Sequence, residues 1–124
     1  MNMFPKFIYK VKTNKKQVAL TFDDGPHPEF TIELLDLFKE KGIKATFFVT
    51  GRNIENNKNI IRRMIKEGHE LANHSYSHKN LIFKKKSFIK EEIDKTDNLL
   101  REIGVKGEIL FRPPFGRILF TAAY

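Results

Sequence analysis

The chain has 124 residues, a length typical of one domain built around a single hydrophobic core. It contains no cysteine, which excludes a disulfide framework and thiolate ligands, so any metal would rest on histidine, aspartate or glutamate. The formal net charge of +8 at pH 7 indicates a basic surface suited to an anionic polymer, but the lysines are scattered without interleaved aromatic residues, which argues against nucleic acid.

Hydrophobic periodicity predicts alternating strands and helices. Residues 1–16 form a polar, basic lead-in whose apolar patch at 7–9 is either an extra strand or a covering segment. A first strand is expected at 17–22. After a turn, a helix is expected from residue 29 or 31 to 41, with Gly42 as its C-cap.

The same pattern continues to the end of the chain. The later elements are a strand at 45–49, a helix at 56–67 stopped by Gly68, a strand at 69–72, a helix at 87–103 with Ser87 as its N-cap, and a strand at 108–111. This order calls for an α/β fold with a parallel sheet and right-handed crossovers. The polar motifs all follow strands, as on the active-site face of a (β/α) barrel, which usually needs about 250 residues.

Two adjacent acids, Asp23 and Asp24, follow the first predicted strand. Asp-Asp-Gly-Pro is favourable turn chemistry, and that is the simpler interpretation. In α/β folds, however, ligands and metals bind at the carboxyl ends of the strands. The position therefore favours a functional role for both carboxylates.

His74 and His78 are four residues apart, a spacing that in a helical turn puts both imidazoles in reach of one ion. Taken alone, a pair of surface histidines is the more common explanation. The zincin motif HExxH is excluded because Ser75 stands where the glutamate base is needed. Together with Asp23 and Asp24, the histidines would form a site of two imidazoles and one carboxylate, with a second carboxylate as base.

Other polar residues allow two interpretations each. Arg112 is either a surface cation or the group that orients a carboxylate at the site. His69 is expected to be a hydrogen-bonded structural residue. His27 is expected to be exposed rather than a peripheral ligand. Tyr76 either lines a substrate site or packs in the interior.

Three ordered motifs carry a family resemblance: TFDDGP at 21–26, HSYSH at 74–78 and RPPFG at 112–116. They resemble the first three signature motifs of the polysaccharide deacetylase family, the NodB-homology or carbohydrate esterase family 4 domain. The resemblance covers about residues 17–119. It implies the N-terminal four or so βα units of a distorted, incomplete (β/α)7-type barrel, with a partial domain at 17–124 behind the lead-in.

The resemblance implies that N-acetyl groups are removed from a glycan such as peptidoglycan or chitin oligomers. It assigns a divalent metal, usually zinc with cobalt or manganese as options, to three ligands: Asp24, His74 and His78. Asp23 matches the base that deprotonates the water held by this metal. Arg112 matches the arginine that holds and tunes the aspartate, and the backbone N–H of Phe115 matches a group that holds the oxyanion.

Members of the family continue into a Trp-containing motif and a late Leu-x-His motif whose histidine protonates the departing amine. This chain has no Trp and no histidine after His78. A missing general acid typically costs about 10²–10⁴-fold in rate, so impaired hydrolysis is expected. Uncovered strand edges predict self-association. The alternative is a non-catalytic remnant that binds metal or glycan.

No stretch of the sequence is long and apolar enough to span a membrane. Lys6 and Lys10 interrupt any apolar region of a signal peptide near the N-terminus. The sequence as written therefore predicts a cytoplasmic chain without a membrane span, although members of the family are often exported or associated with the cell wall.

Overall fold

The computed structural model describes residues 7–117. The strands are β1 (Thr21–Asp23), β2 (Thr46–Val49) and β3 (Glu70–Asn73). The helices are α1 (Phe30–Lys41), α2 (Gly51–Glu55), α3 (Lys58–Lys66) and α4 (Lys86–Ile103), followed by a single 3-10 turn at Pro114–Gly116. All three strands are parallel, which confirms the predicted α/β class. No helix within 7–117 is long and apolar enough to cross a membrane.

The strands follow the order β1-β2-β3, so β2 is the central strand. Its residues Phe47, Phe48 and Val49 are all buried, as expected for a parallel strand covered on both faces. The register pairs Asp23 with Phe48, and Val49 with Asn73. The residues that follow each strand therefore emerge at one edge of the sheet.

The core joins the sheet to helices α1, α3 and α4. Fully or almost fully buried helical side chains pack together with the strands: Leu35 and Phe38 from α1, Ile60, Ile61 and Met64 from α3, and Leu100 from α4. Phe22 of β1 packs against Phe38 and Phe47, with ring centroids 5.6 and 5.5 Å away. This packing anchors the strands whose ends carry the polar motifs.

Two predictions near the N-terminus are wrong in detail. Strand β1 begins four residues later than expected, because pairing with β2 starts only where the Thr46 N–H donates to the Leu20 carbonyl. Residues before this point have no strand partner in the described chain, and Val18 is 88% exposed. The patch at 7–9 forms no strand, and its side chains are exposed.

The helix predicted over 56–67 is confirmed as α3 (Lys58–Lys66), but the short helix α2 (Gly51–Glu55) before it was not predicted. Asn57 lies between these two helices with φ −135° and ψ 35°, and its side-chain amide donates to the Asn53 carbonyl at 2.9 Å. Asparagine side chains compete in this way with backbone helix bonds. Helix α1 also spans the predicted residues and ends at Gly42, whose φ of 65° lies in the left-handed region.

The N-cap prediction for α4 is also wrong. The last extended residue is Lys85, and Ser87 lies inside the first turn. The Ile89 N–H donates to the Lys85 carbonyl at 3.1 Å, and Ile89 is buried. The helix therefore begins without a side-chain hydrogen bond at its N-cap.

The fourth strand, predicted at 108–111, forms only a single bridge between Phe111 and Asn73. The Asn73 N–H donates to the Leu110 carbonyl, and the Arg112 N–H donates to the Asn73 carbonyl. Two prolines follow at once and cannot donate to a ladder, so the pairing stops there. The contact still brings Arg112 to the edge where the other motifs lie.

The structural role expected for His69 is confirmed. Its Nδ1 accepts the Ala45 N–H at 3.2 Å, and the Phe47 ring packs edge-on at 5.4 Å. Burial lowers the pKa of His69, and the nearby Lys44 lowers it further, while Glu67 opposes the change. The folded protein therefore favours the neutral ring.

Leu35→Ala should destabilise the fold by about 2–5 kcal/mol because it opens a cavity in the core. Leu37→Ala on the same helix is the matched control, since Leu37 is 47% exposed and should cost about 0.5 kcal/mol or less. Urea denaturation followed by circular dichroism measures both. Equal losses would contradict the assigned core.

The free energy of unfolding should fall as the pH is lowered through the ordinary histidine pKa of 6.5. The unfolded chain accepts a proton at His69 that the folded chain resists, so acid favours unfolding. His69→Gln should reduce this pH dependence relative to the unaltered chain, because the remaining histidines titrate in both proteins. Identical pH profiles between pH 5 and 8 would refute the assignment.

Candidate metal centre

The carboxylate of Asp24 emerges directly after β1 at the sheet edge. Its φ of 72° is a left-handed conformation that aspartate tolerates better than most residues. The Asn53 side-chain amide donates to the Asp24 carbonyl at 2.7 Å. This bond from α2 fixes the turn and leaves the carboxylate 67% exposed.

Residues 74–78, called the histidine loop below, follow β3 and are not helical. Ser75 and His78 have positive φ values of 66° and 57°, so the helical-turn geometry considered for the pair is wrong. The physical reason is that the loop is bonded from outside. The Gly51 and Arg52 N–H groups donate to the Ser75 and Tyr76 carbonyls at 3.0 and 3.1 Å.

The histidine loop nevertheless brings both imidazoles to Asp24. Nε2 of His78 lies 3.0 Å from Asp24 Oδ1, and Nε2 of His74 lies 3.3 Å from the same oxygen. One ligand atom from each residue lies within 4.8 Å of the others. Tetrahedral bonds of about 2.0–2.2 Å place ligand atoms roughly 3.3 Å apart, so the donor set fits a divalent cation.

The orientation of His74 supports the same fit. Its Nδ1 lies 2.7 Å from the Arg112 carbonyl, and an N–H there leaves the Nε2 lone pair directed at Asp24. Metal-binding histidines commonly donate their second nitrogen to a carbonyl in this way. The His74 side chain is only 3% exposed, so its ring is held by the surrounding structure.

Asp23 lies beside this group and is held by Arg112. The guanidinium Nη1 donates to Asp23 Oδ1 at 2.6 Å and to Thr21 Oγ1 at 3.2 Å. It also lies over the Phe48 ring, 3.9 Å from the centroid, a favourable cation–π contact. Asp23 Oδ2 is 3.8 Å from His74 Nε2, so this carboxylate stands next to the three candidate ligands.

Phe115 completes the surroundings from the 3-10 turn. Its φ is 60°, its side chain is 63% exposed, and its ring centroid lies 5.0 Å from that of His78. His27, in contrast, is exposed, and its Nδ1 accepts the N–H groups of Glu29 and Phe30 at the start of α1. Within 7–117, His27 is not part of the candidate cluster.

Tyr76 is half-buried at a groove beside the candidate ligands rather than packed in the interior, and its role toward a substrate stays a prediction. It lines a groove of about 290 Å³ together with Asp24, Thr50, Arg52, Asn53, Ser77 and His78. Its hydroxyl donates to Glu55 at 3.0 Å, and the Lys95 ammonium lies 3.5 Å from its ring centroid. The groove opens onto two of the three candidate ligands.

Asn73 supports the histidine loop, a role that is not evident from the sequence. This fully buried residue accepts the Ser75 N–H at 2.7 Å and donates to the Ile93 carbonyl and to Asp97. Burial raises the pKa of Asp97, although the bond from Asn73 opposes the change. The only signal in the sequence is an asparagine directly before His74, and nothing in the sequence links this residue to α4.

The parallel strands and the Asp-His-His group define an α/β protein with a candidate metal centre at the carboxyl edge of its sheet. The family model for polysaccharide deacetylases matches residues 10–123, and the chain belongs to this family. The predicted α/β fold, part of a (β/α) barrel, agrees with this membership.

Individual relatives are similar to this chain over most of its length. The chain is 45% identical over 106 residues to a peptidoglycan-N-acetylglucosamine deacetylase of Bacillus cereus, covering 86% of this chain and 38% of that protein. The crystal structure of the Bc1960 peptidoglycan N-acetylglucosamine deacetylase matches with a TM-score of 0.84 and 43% identity, covering 88% and 51% of the two chains.

A third similarity is to a family 4 acetyl xylan esterase from Clostridium thermocellum in complex with a cobalt ion. The TM-score is 0.75 at 36% identity, and the match covers 80% of this chain and 49% of that one. The chain thus spans about half the length of these relatives, or less.

Asp24→Ala or His78→Ala should weaken zinc or cobalt binding at least tenfold, because each removes one of three protein ligands. Isothermal titration with Zn²⁺ should give about one ion per unaltered chain. His27→Ala is the matched control, since this histidine lies outside the cluster. Stoichiometric binding that survives both ligand substitutions would refute the assigned centre.

Proposed function

We propose that this chain hydrolyses N-acetyl groups of a glycan, of the peptidoglycan or chitin type, through a metal centre at the sheet edge. The main support is that Nε2 of His78 and Nε2 of His74 lie 3.0 and 3.3 Å from Asp24 Oδ1. Asp23, held by Arg112, lies beside them. Membership of the polysaccharide deacetylase family supports the reaction. The deacetylase names of two similar relatives support the substrate class.

Asp24, His74 and His78 would hold the cation, and zinc is the proposed ion, with cobalt or manganese as alternatives. Two imidazoles and a carboxylate suit these borderline cations better than magnesium or calcium, which prefer oxygen ligands. When bound, such a cation lowers the pKa of a water molecule and polarises the acetyl carbonyl. The cobalt ion of the related acetyl xylan esterase is consistent with this choice.

Asp23 would act as the general base. Its carboxylate accepts the proton of the attacking water while Arg112 holds Oδ1 in place. The ion pair orients the Asp23 carboxylate, and the neighbouring Thr21 hydroxyl accepts a second bond from the same guanidinium. In this proposal Asp23 accepts the proton, whereas Asp24 binds the cation.

The backbone N–H of Phe115 would donate to the oxygen of the tetrahedral intermediate. The aromatic ring of Phe115, next to His78, would pack against the sugar at the open side of the site. The groove beside Tyr76 leads to the same place and would receive the adjoining part of the glycan. The basic surface, with a net charge of +8, suits an anionic cell-wall polymer.

The departing amine requires a proton, and the four histidines of the chain offer no obvious donor. His74 and His78 are the proposed ligands, His27 caps α1, and His69 lies in the core. We therefore expect acetate release about 10²–10⁴-fold slower than in an enzyme with a general acid. A chain that binds metal or glycan without any hydrolysis is the second candidate.

Asp23→Asn should lower acetate release from N-acetylglucosamine oligomers at least 10²-fold while zinc stoichiometry is retained, because the base is lost and the ligands remain. A fluorescent or enzymatic acetate assay, with and without a chelator, measures the rate. Asp94→Asn on α4, where Asp94 pairs with Lys90, is the control and should be silent.

Release that resists both the chelator and Asp23→Asn would contradict the mechanism. No release from the unaltered, metal-loaded chain would favour the non-catalytic candidate.

A further inference from the structure

Glu92 is a buried acid on α4 that belongs to none of the recognised motifs. It is 7% exposed, and its Oε2 accepts two hydrogen bonds from one residue. The Ser77 N–H donates at 2.8 Å and the Ser77 hydroxyl at 2.9 Å. Ser77 directly precedes His78, so the Glu92 carboxylate is hydrogen-bonded to the residue next to a candidate ligand.

The histidine loop needs an external support of this kind. His78 has a φ of 57°, in a region that side chains other than glycine rarely adopt. Its N–H donates to Ser75 Oγ at 3.1 Å, a bond internal to the loop. Other bonds from outside the loop come from Val49, Asn73, Arg112 and the start of α2, but they reach residues 74–76. Within residues 7–117, Ser77, immediately before His78, is hydrogen-bonded by Glu92.

Helix α4 holds Glu92 in place through buried neighbouring residues and hydrogen bonds. Glu92 lies between Ile89 and Thr96, both buried, and the Thr96 hydroxyl donates to the Glu92 carbonyl. The Asn73 side chain ties β3 to the same helix through the Ile93 carbonyl. The helix thus contacts the histidine loop at both ends, through Asn73 before His74 and through Ser77 before His78.

We propose that Glu92 is a positioning residue of the metal centre. By accepting both Ser77 bonds it sets the direction of the backbone into His78 and so the placement of Nε2 against Asp24. It touches neither the candidate cation position nor the substrate groove. Hydrogen bonds to a carboxylate are stronger than neutral ones, which explains why an acid is used in a buried place. The inference rests on the proposed metal centre.

Metal binding by the full chain tests the inference. Glu92→Ala removes both bonds, and Glu92→Asp keeps the charge but shortens the reach to Ser77. Both variants should raise the dissociation constant for Co²⁺ by about 10–100-fold, as observed for supporting partners of metal ligands, and alter the visible spectrum of bound Co²⁺. Glu92→Gln retains an acceptor oxygen and should stay within about threefold of the unaltered chain.

Glu91→Ala is the matched control, because Glu91 is the exposed neighbour on the same helix. Circular dichroism establishes that each variant is folded, and Glu92→Asp replaces Glu92→Ala if the latter is not. Unchanged affinity and spectrum in the folded variants would overturn the role of Glu92. Absence of Co²⁺ binding by the unaltered chain would instead refute the metal centre itself.

Discussion

The parallel register of the three strands is the constraint on which the site depends. Asp23 pairs with Phe48, and Val49 pairs with Asn73, so the residues after β1 and β3 emerge at the same edge although 50 positions separate Asp24 from His74. Burial of the central strand on both faces stabilises this register, because a slip of one residue would move Phe47 or Phe48 out of its apolar surroundings. The site is thus a consequence of core packing.

Arg112 joins the two halves of this edge. Its carbonyl accepts from His74, and its guanidinium holds Asp23, so one residue orients a candidate ligand and the candidate base together. The backbone of the same residue is fixed by Asn73 in β3. A shift of this segment would therefore disturb both carboxylate and imidazole.

Much of this arrangement could be predicted from the sequence because it depends on local patterns. The fold was indicated by the apolar run at β2, the glycine after α1 and the order of three motifs. The same order predicted that Asp23, Asp24, His74 and His78 lie at one edge of the sheet. Sequence did not reveal the short helix α2, or that Ser87 lies inside the first turn of α4 rather than at its N-cap. It also could not reveal that Glu92 supports the histidine loop, since this contact joins residues 15 positions apart through tertiary packing.

X-ray absorption spectroscopy of the zinc-loaded chain is the most direct test of the metal centre, because it reports the atoms around the cation. We expect one tightly bound ion with scattering from two imidazoles at about 2.0–2.1 Å and oxygen ligands at about 2.0–2.2 Å. Loss of one imidazole contribution in His78→Ala would assign it. An oxygen-only shell, or one unchanged by that substitution, would contradict a centre formed by Asp24, His74 and His78.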